Sequence, residues 1–215
     1  MSEFDSDKFT EIATNYNTLA KELEMIKSET KEPFEGGSTG EQAGKIINFL
    51  LKNPQIKLVL EIGFNFGHSA LNFLNANPEI NVISVDLGEH QYVYDCKKII
   101  DKHFPKRHQL IIGDSTKVIP QLVGNIHPDF IFIDGGHKDP VPLLDIRNCL
   151  ALSDDNTILC LDDTEFKYGW HDIVIALCTV LKTKEIDEKS LIVERSPLRG
   201  WTYFKKTPVN SKTNQ

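Results

Sequence analysis

The chain has 215 residues, 40% of them hydrophobic and 26% charged, with a net charge of −7 and a pI near 5.5. That length fits one domain, at most one with an extension, and is enough to bury a substantial core. No Lys/Arg cluster stands out against the acidic balance, which argues against a nucleic-acid partner, and no stretch has the length and apolarity of a membrane span or a signal core. The four cysteines, Cys96, Cys149, Cys160 and Cys178, lack metal-ligand spacing and mostly sit in apolar runs. A reducing, cytoplasmic compartment is therefore expected.

Phe9, Ile12, Tyr16, Leu19, Leu23 and Ile26 recur at intervals of three and four, an apolar stripe that predicts a helix over 9–26. The stripe is only about two and a half heptads long, short for an independent coiled coil. It therefore packs on its own domain or pairs with a second copy, and a homodimer through this helix is one expectation. Residues 31–40, KEPFEGGSTG, break the pattern with Pro33 and three glycines. A second helix follows, with Ala43, Ile46, Ile47, Leu50 and Leu51 on one face.

From there strands and helices alternate. Strands are predicted at 58–62, 81–86, 109–113, 129–133 and 157–161, and helices at 68–76, 91–103, 116–124, 141–151 and 171–182. The strands are nearly continuous apolar runs, as in a parallel sheet covered on both faces, so the repeated βα units predict a doubly wound α/β fold. Residues 190–206, SLIVERSPLRGWTYFKK, read instead as an antiparallel hairpin turning through Pro197 and Gly200. The expected organisation is an N-terminal helical extension over 1–33, a main domain over 34–207 and a polar tail over 208–215.

Open α/β sheets bind ligands beyond the carboxyl ends of their strands. The residues there are Glu61-Ile62-Gly63, Asp86, Asp114-Ser115, Asp134 and Asp162-Asp163, an acid at every strand end. One such acid is an ordinary turn or cap residue; five in register are a sharper signal. Residues 59–69, VLEIGFNFGHS, carry glycines four apart, which differs from the G-x-G-x-x-G of dinucleotide folds. Asp86 can accept two hydrogen bonds from a ribose diol. A glycine turn with no phosphate-gripping lysine suits an adenosine without phosphate, with a nicotinamide cofactor as the rival.

In these features, over roughly residues 34–206, the sequence resembles the class I S-adenosylmethionine-dependent methyltransferases. The resemblance implies a Rossmann-like, mostly parallel, seven-stranded sheet. It also implies a cofactor turn at Glu61, Gly63, Asn65 and Gly67, with Ser69 helping to hold the methionine carboxylate. Asp86 would then serve the ribose, Asp114 and Ser115 the adenine side, and Asp134 would complete the cofactor set. The structural alternative for each residue alone is a turn glycine or a helix cap.

FIDGGH (132–137) and CLDDT (160–164) bring Asp134, Asp162 and Asp163 to the ends of neighbouring strands. Three converging carboxylates repel one another, and a divalent cation relieves that; oxygen-only ligands favour Mg²⁺ or Ca²⁺ over zinc. Adjacent residues of an extended strand face opposite ways. Asp162 and Asp163 thus share an ion only if the strand has already turned, and Asp163 before Thr164 is alternatively a capping acid. His137, three residues after Asp134, is the candidate general base, because its ordinary pKa of about 6.5 suits proton removal near neutrality.

Here the chain looks like the divalent-metal-dependent O-methyltransferases. Residues 36–72 follow the layout of the catechol-type branch. That branch usually has Asp-Asn at Asp162-Asp163 and lysine at His137, and the pattern found is more similar to the macrocin-type enzymes, which methylate sugar hydroxyls. The implied activity is Mg²⁺-dependent methyl transfer from S-adenosylmethionine to a hydroxyl of a small molecule. The alternatives are a metal-independent methyltransferase and a non-catalytic cofactor-binding or interaction protein. His68 is expected near the methionine end and His171 near the substrate, Trp170 with Tyr168 either floors the acceptor pocket or packs a helix, and by family analogy Phe34 with the glycines of 36–40 forms a lid.

Overall fold

A computed structural model of the chain describes residues 6–30, 40–165, 167, 169–197 and 199–208, with only the backbone described at 6–9. Phe34, Gly36, Gly37, Tyr168, the 33/34 boundary and the tail from 209 lie outside the described residues, as does the side chain of Phe9. The chain divides into two units, Met1–Asp114 and Ser115–Gln215.

The first unit holds helices α1 (Ser6–Glu29), α2 (Gly40–Lys52), α3 (His68–Ala76) and α4 (Gln91–His103) and strands β1 (Leu58–Ile62), β2 (Asn81–Asp86) and β3 (His108–Ile112). The three strands are parallel, in the order β3-β2-β1. Register sets Glu61 beside Ser84 and Asp86 beside Ile112. The third strand starts one residue earlier than predicted and two before its apolar run, because His108 pairs with Val82 and is itself buried.

The apolar stripe of α1 is used within this unit. Ile12, Ala20 and Leu23 are buried where the helix meets α3 and α4. Tyr16, Leu19 and Ile26 are half-buried. Polar ties accompany the packing: Asn75 Nδ2 donates to the Ile12 carbonyl at 2.7 Å, and Glu22 accepts from Lys102 at 2.8 Å and meets His103 at 2.8 Å.

The second unit holds α5 (Ser115–Leu122), β4 (Phe130–Ile133), α6 (Val141–Leu152), β5 (Ile158–Leu161), α7 (His171–Lys182), β6 (Ile192–Arg195) and β7 (Gly200–Phe204). Its strand order is β4-β5-β7-β6, parallel between β4 and β5 and antiparallel at both contacts of β7. The hairpin therefore enters the sheet by its second strand. Burial explains the choice: every residue of GWTYF is buried, so β7 belongs inside. Ile192 and Val193 stay exposed on β6, at the edge.

The two units together supply seven strands, a mixed, Rossmann-like set with a C-terminal antiparallel hairpin, which is the fold class expected from the sequence. Among the described residues no helix is long and apolar enough to cross a membrane.

Candidate active site

In the first unit, β1 runs out at Ile62 and the chain turns sharply into α3. Gly63 has φ 91°, Asn65 φ 49° and Gly67 φ 75°. At Gly67 the left-handed backbone and the space both demand glycine: an added Cβ would stand 2.8 Å from Cζ of Phe64. The turn is pinned to the second strand. Gly63 N–H donates to the Val85 carbonyl at 2.8 Å. Asp86 Oδ2 accepts from the amides of Phe64 at 2.9 Å and Asn65 at 3.0 Å, and its Oδ1 accepts from Gly88 at 2.8 Å. The acid expected to face a ribose thus also ties the turn together.

Beneath the turn lies a buried polar chain. Glu61 is fully buried, and its two carboxylate oxygens accept from the hydroxyls of Ser69 and Ser84. Ser84 Oγ lies 2.9 Å from Nε2 of His108. Ser69, expected to hold a ligand carboxylate, therefore directs its proton inward at Glu61. Ser115 does likewise in the second unit, donating at 2.8 Å to Asp145, an acid that is also buried. Asp114, expected beside it on the adenine side, is half-buried at the end of the first unit.

Burial, with a smaller push from Lys97, lowers the pKa of His108 to about 3. Below its unfolded value of about 6.5 the unfolded chain takes the proton first, so stability falls as pH drops, until the folded ring titrates as well. This group alone is expected to cost about 1.4 kcal/mol per pH unit across that window. Denaturation of the wild type and of His108→Gln at about pH 6 and about pH 5 checks it; equal losses in the two proteins would exclude the effect.

In the second unit the acids gather at the ends of β4 and β5. Asp134, His137 and Asp163 each offer a ligand atom, all within 4.8 Å of one another. His137 Nε2 lies 3.3 Å from Asp163 Oδ2 and 3.8 Å from Asp134 Oδ1. Its ring packs against Trp170 with centroids 4.3 Å apart.

This set differs from the expected Asp134, Asp162 and Asp163. The strand ends at Leu161, and Asp163 adopts φ 54°, which carries its carboxylate to His137. Asp162 is buried, accepts from the Asp163 amide at 2.8 Å and lies 3.6 Å from Nη1 of Arg199. Strand alternation and the left-handed turn thus send the neighbouring acids to different partners. Burial first, then repulsion from Asp134, raises Asp163 to about 6, and Asp162 is raised well above its ordinary value by the same causes.

Two carboxylates and one imidazole fit a divalent cation, which would cancel the repulsion that raises these pKa values. The imidazole nitrogen widens the metals suited to the site beyond the oxygen-only expectation, to include Mn²⁺ and later first-row ions.

His68 is buried against α1, with Nδ1 3.3 Å from the Tyr16 hydroxyl and Nε2 3.2 Å from Glu24. His171 opens α7 and is exposed. Ser84, His108, Asp145 and Arg199 support the site although no sequence motif marks them. Ser84 did leave a trace, a lone hydroxyl inside the apolar run of β2. Arg199, in a hairpin turn, left none.

Residues 60–164, just under half of the chain, match the family model described as a methyltransferase domain. Caffeoyl-CoA O-methyltransferase 2 of Populus trichocarpa is 27% identical over 150 residues, 64% of this chain; the match spans 59% of that relative's length. Among solved structures, the fold is similar to that of an S-adenosylhomocysteine-bound methyltransferase of Podospora anserina, with TM-score 0.72 and 15% identity, covering 96% of this chain and 98% of the other. It is also similar to an O-methyltransferase of Streptomyces achromogenes involved in tomaymycin synthesis, solved with S-adenosylmethionine. There the TM-score is 0.71 at 16% identity, covering 88% of this chain and 89% of the other.

Proposed function

We propose that this protein is an enzyme that transfers the methyl group of S-adenosylmethionine to a hydroxyl of a small molecule. The observation that carries the reading is the extent of the family match. Residues 60–164 run from β1 past Asp163 and take in Glu61, Gly63, Gly67, Asp86, Asp134 and His137. The cofactor-bound state of the two fold neighbours supports the choice of cofactor. The names of the poplar relative and the Streptomyces neighbour support oxygen as the atom methylated.

In this reading the glycine turn holds the cofactor, and the first amides of α3 face its carboxylate. The acceptor is a small hydroxylated molecule of sugar, polyketide or polyol type, met in the cytoplasm, with neither nucleic acid nor membrane as partner. Asp134, Asp163 and the His137 nitrogen would hold a divalent cation, which when bound lowers the pKa of an acceptor hydroxyl. His137 takes the hydroxyl proton when its nitrogen is not a ligand, and Asp163, 3.3 Å away, then stabilises the imidazolium.

One observation favours a second, metal-independent reading. Arg199 stands 3.6 Å from Asp162 and the His137 ring 3.3 Å from Asp163, which makes Asp163–His137 an acid–base pair in its own right. Methyl transfer to a panel of hydroxylated acceptors, with chelator and then with Mg²⁺ or Mn²⁺ restored, separates the two. Activity that vanishes and returns supports the metal; full activity in chelator eliminates it. No transfer to any acceptor, together with no binding of S-adenosylhomocysteine, would sink the enzyme reading.

A further inference from the structure

We infer that Ser84 and His108 are positioning residues for the glycine turn: they orient the Glu61 carboxylate that tethers Ser69 at the start of α3. The inference rests on the reading that this turn holds S-adenosylmethionine.

Proton counting gives the chain a direction. Ser84 Oγ lies 2.5 Å from Glu61 Oε2 and 2.9 Å from His108 Nε2. A hydroxyl has one proton to donate, and Ser84 Oγ is the donor towards Glu61 Oε2. The Ser84 proton therefore goes to Glu61, and His108 Nε2–H donates to the Ser84 oxygen. His108 Nδ1 is left as a bare acceptor, in agreement with its having no hydrogen-bond partner. The ring must be neutral for this arrangement, and burial holds it so. Ser69 donates to the other oxygen of Glu61, so the chain runs from β3 through β2 and β1 to the second residue of α3.

His108 reaches the turn by a second route. Its ring stacks on Phe64 with centroids 5.0 Å apart and planes at 22°. Phe64 is the residue whose amide binds Asp86 and whose ring lies against Gly67. A residue at the first position of β3 thus sets both the floor and the exit of the turn without being part of it.

The test is calorimetric binding of S-adenosylhomocysteine to the wild type, Ser84→Ala, Ser84→Thr and His108→Gln, with melting temperature measured for each. Ser84→Ala leaves Glu61 short of one donor, and affinity is expected to fall roughly tenfold, the equivalent of one hydrogen bond to a charged group. Ser84→Thr keeps the hydroxyl and should bind within about threefold of the wild type, whereas His108→Gln keeps an N–H donor but loses the ring stacked on Phe64 and should fall between the threonine and alanine variants. Wild-type affinity in Ser84→Ala would overturn the inference, as would equal losses in the alanine and threonine variants, which would mean packing alone.

If the wild type itself fails to bind, the cofactor reading falls. The relay is still tested by nitrogen NMR of the His108 ring, where a protonated Nε2 and a bare Nδ1 are expected at neutral pH. The opposite tautomer, or a cationic ring, would overturn it.

Discussion

His137→Ala is expected to lower turnover by roughly 10²–10⁴-fold, the span for a lost acid–base group, while leaving affinity for S-adenosylhomocysteine unchanged. An imidazole is the side chain suited to exchanging a proton with a hydroxyl near neutrality, and His137 supplies it in this cluster. It is held between Asp163 at 3.3 Å and the face of Trp170 at 4.3 Å. The bonds that shape the glycine turn run through Asp86, Val85 and Glu61.

Metal titration of the same variant distinguishes the two roles open to this side chain. A base that is not a ligand leaves cation affinity intact on removal, whereas a ligand takes most of that affinity with it. Asp163→Asn provides the control, since it removes a carboxylate needed in either role. Unimpaired turnover in His137→Ala would eliminate the base, and unchanged cation affinity would eliminate the ligand.

Asp86→Ala is expected to weaken S-adenosylhomocysteine binding by at least tenfold and to lower stability even without ligand, by about 1–3 kcal/mol. The carboxylate accepts three backbone amides, from Phe64, Asn65 and Gly88. Alanine leaves all three without that acceptor and frees the segment between β1 and α3 to change conformation. Asp86→Asn keeps one oxygen for the Phe64 and Asn65 amides and turns a donor towards Gly88, so it should retain much of the stability. Melting temperature and calorimetry on the three proteins check this. An Asp86→Ala protein with wild-type melting and wild-type affinity would show that the acid holds neither the turn nor the ligand.

What could be read along the chain was whatever depends on near neighbours. Apolar runs of four to six residues between turn-formers marked β1, β2, β4 and β5, and the 3.6-residue period marked the helices, because strand and helix patterning are local properties. The acids at the strand ends were legible for the same reason: a strand's end is set by its own residues, and an open sheet fixes which edge the ends share. The G-x-x-x-G spacing, with positive φ at Gly63 and Gly67, belongs to this class too.

Partners across strands are another matter. Ser84 meets Glu61 only because β1 and β2 pair in one register, and a slip of one residue would have turned it to the other face. His108 reaches Ser84 only because β3 begins two residues before its apolar run. Asp162 and Asp163 are neighbours in sequence, yet one is buried by Arg199 and the other bends to His137, a division made by a left-handed backbone at Asp163 that no local pattern announces. The stripe of α1 illustrates the same limit. Its apolar residues showed that something must cover Leu23, and tertiary packing on α3 and α4 decided what does. Periodicity records that a face is apolar; only the assembled fold determines which surface meets it.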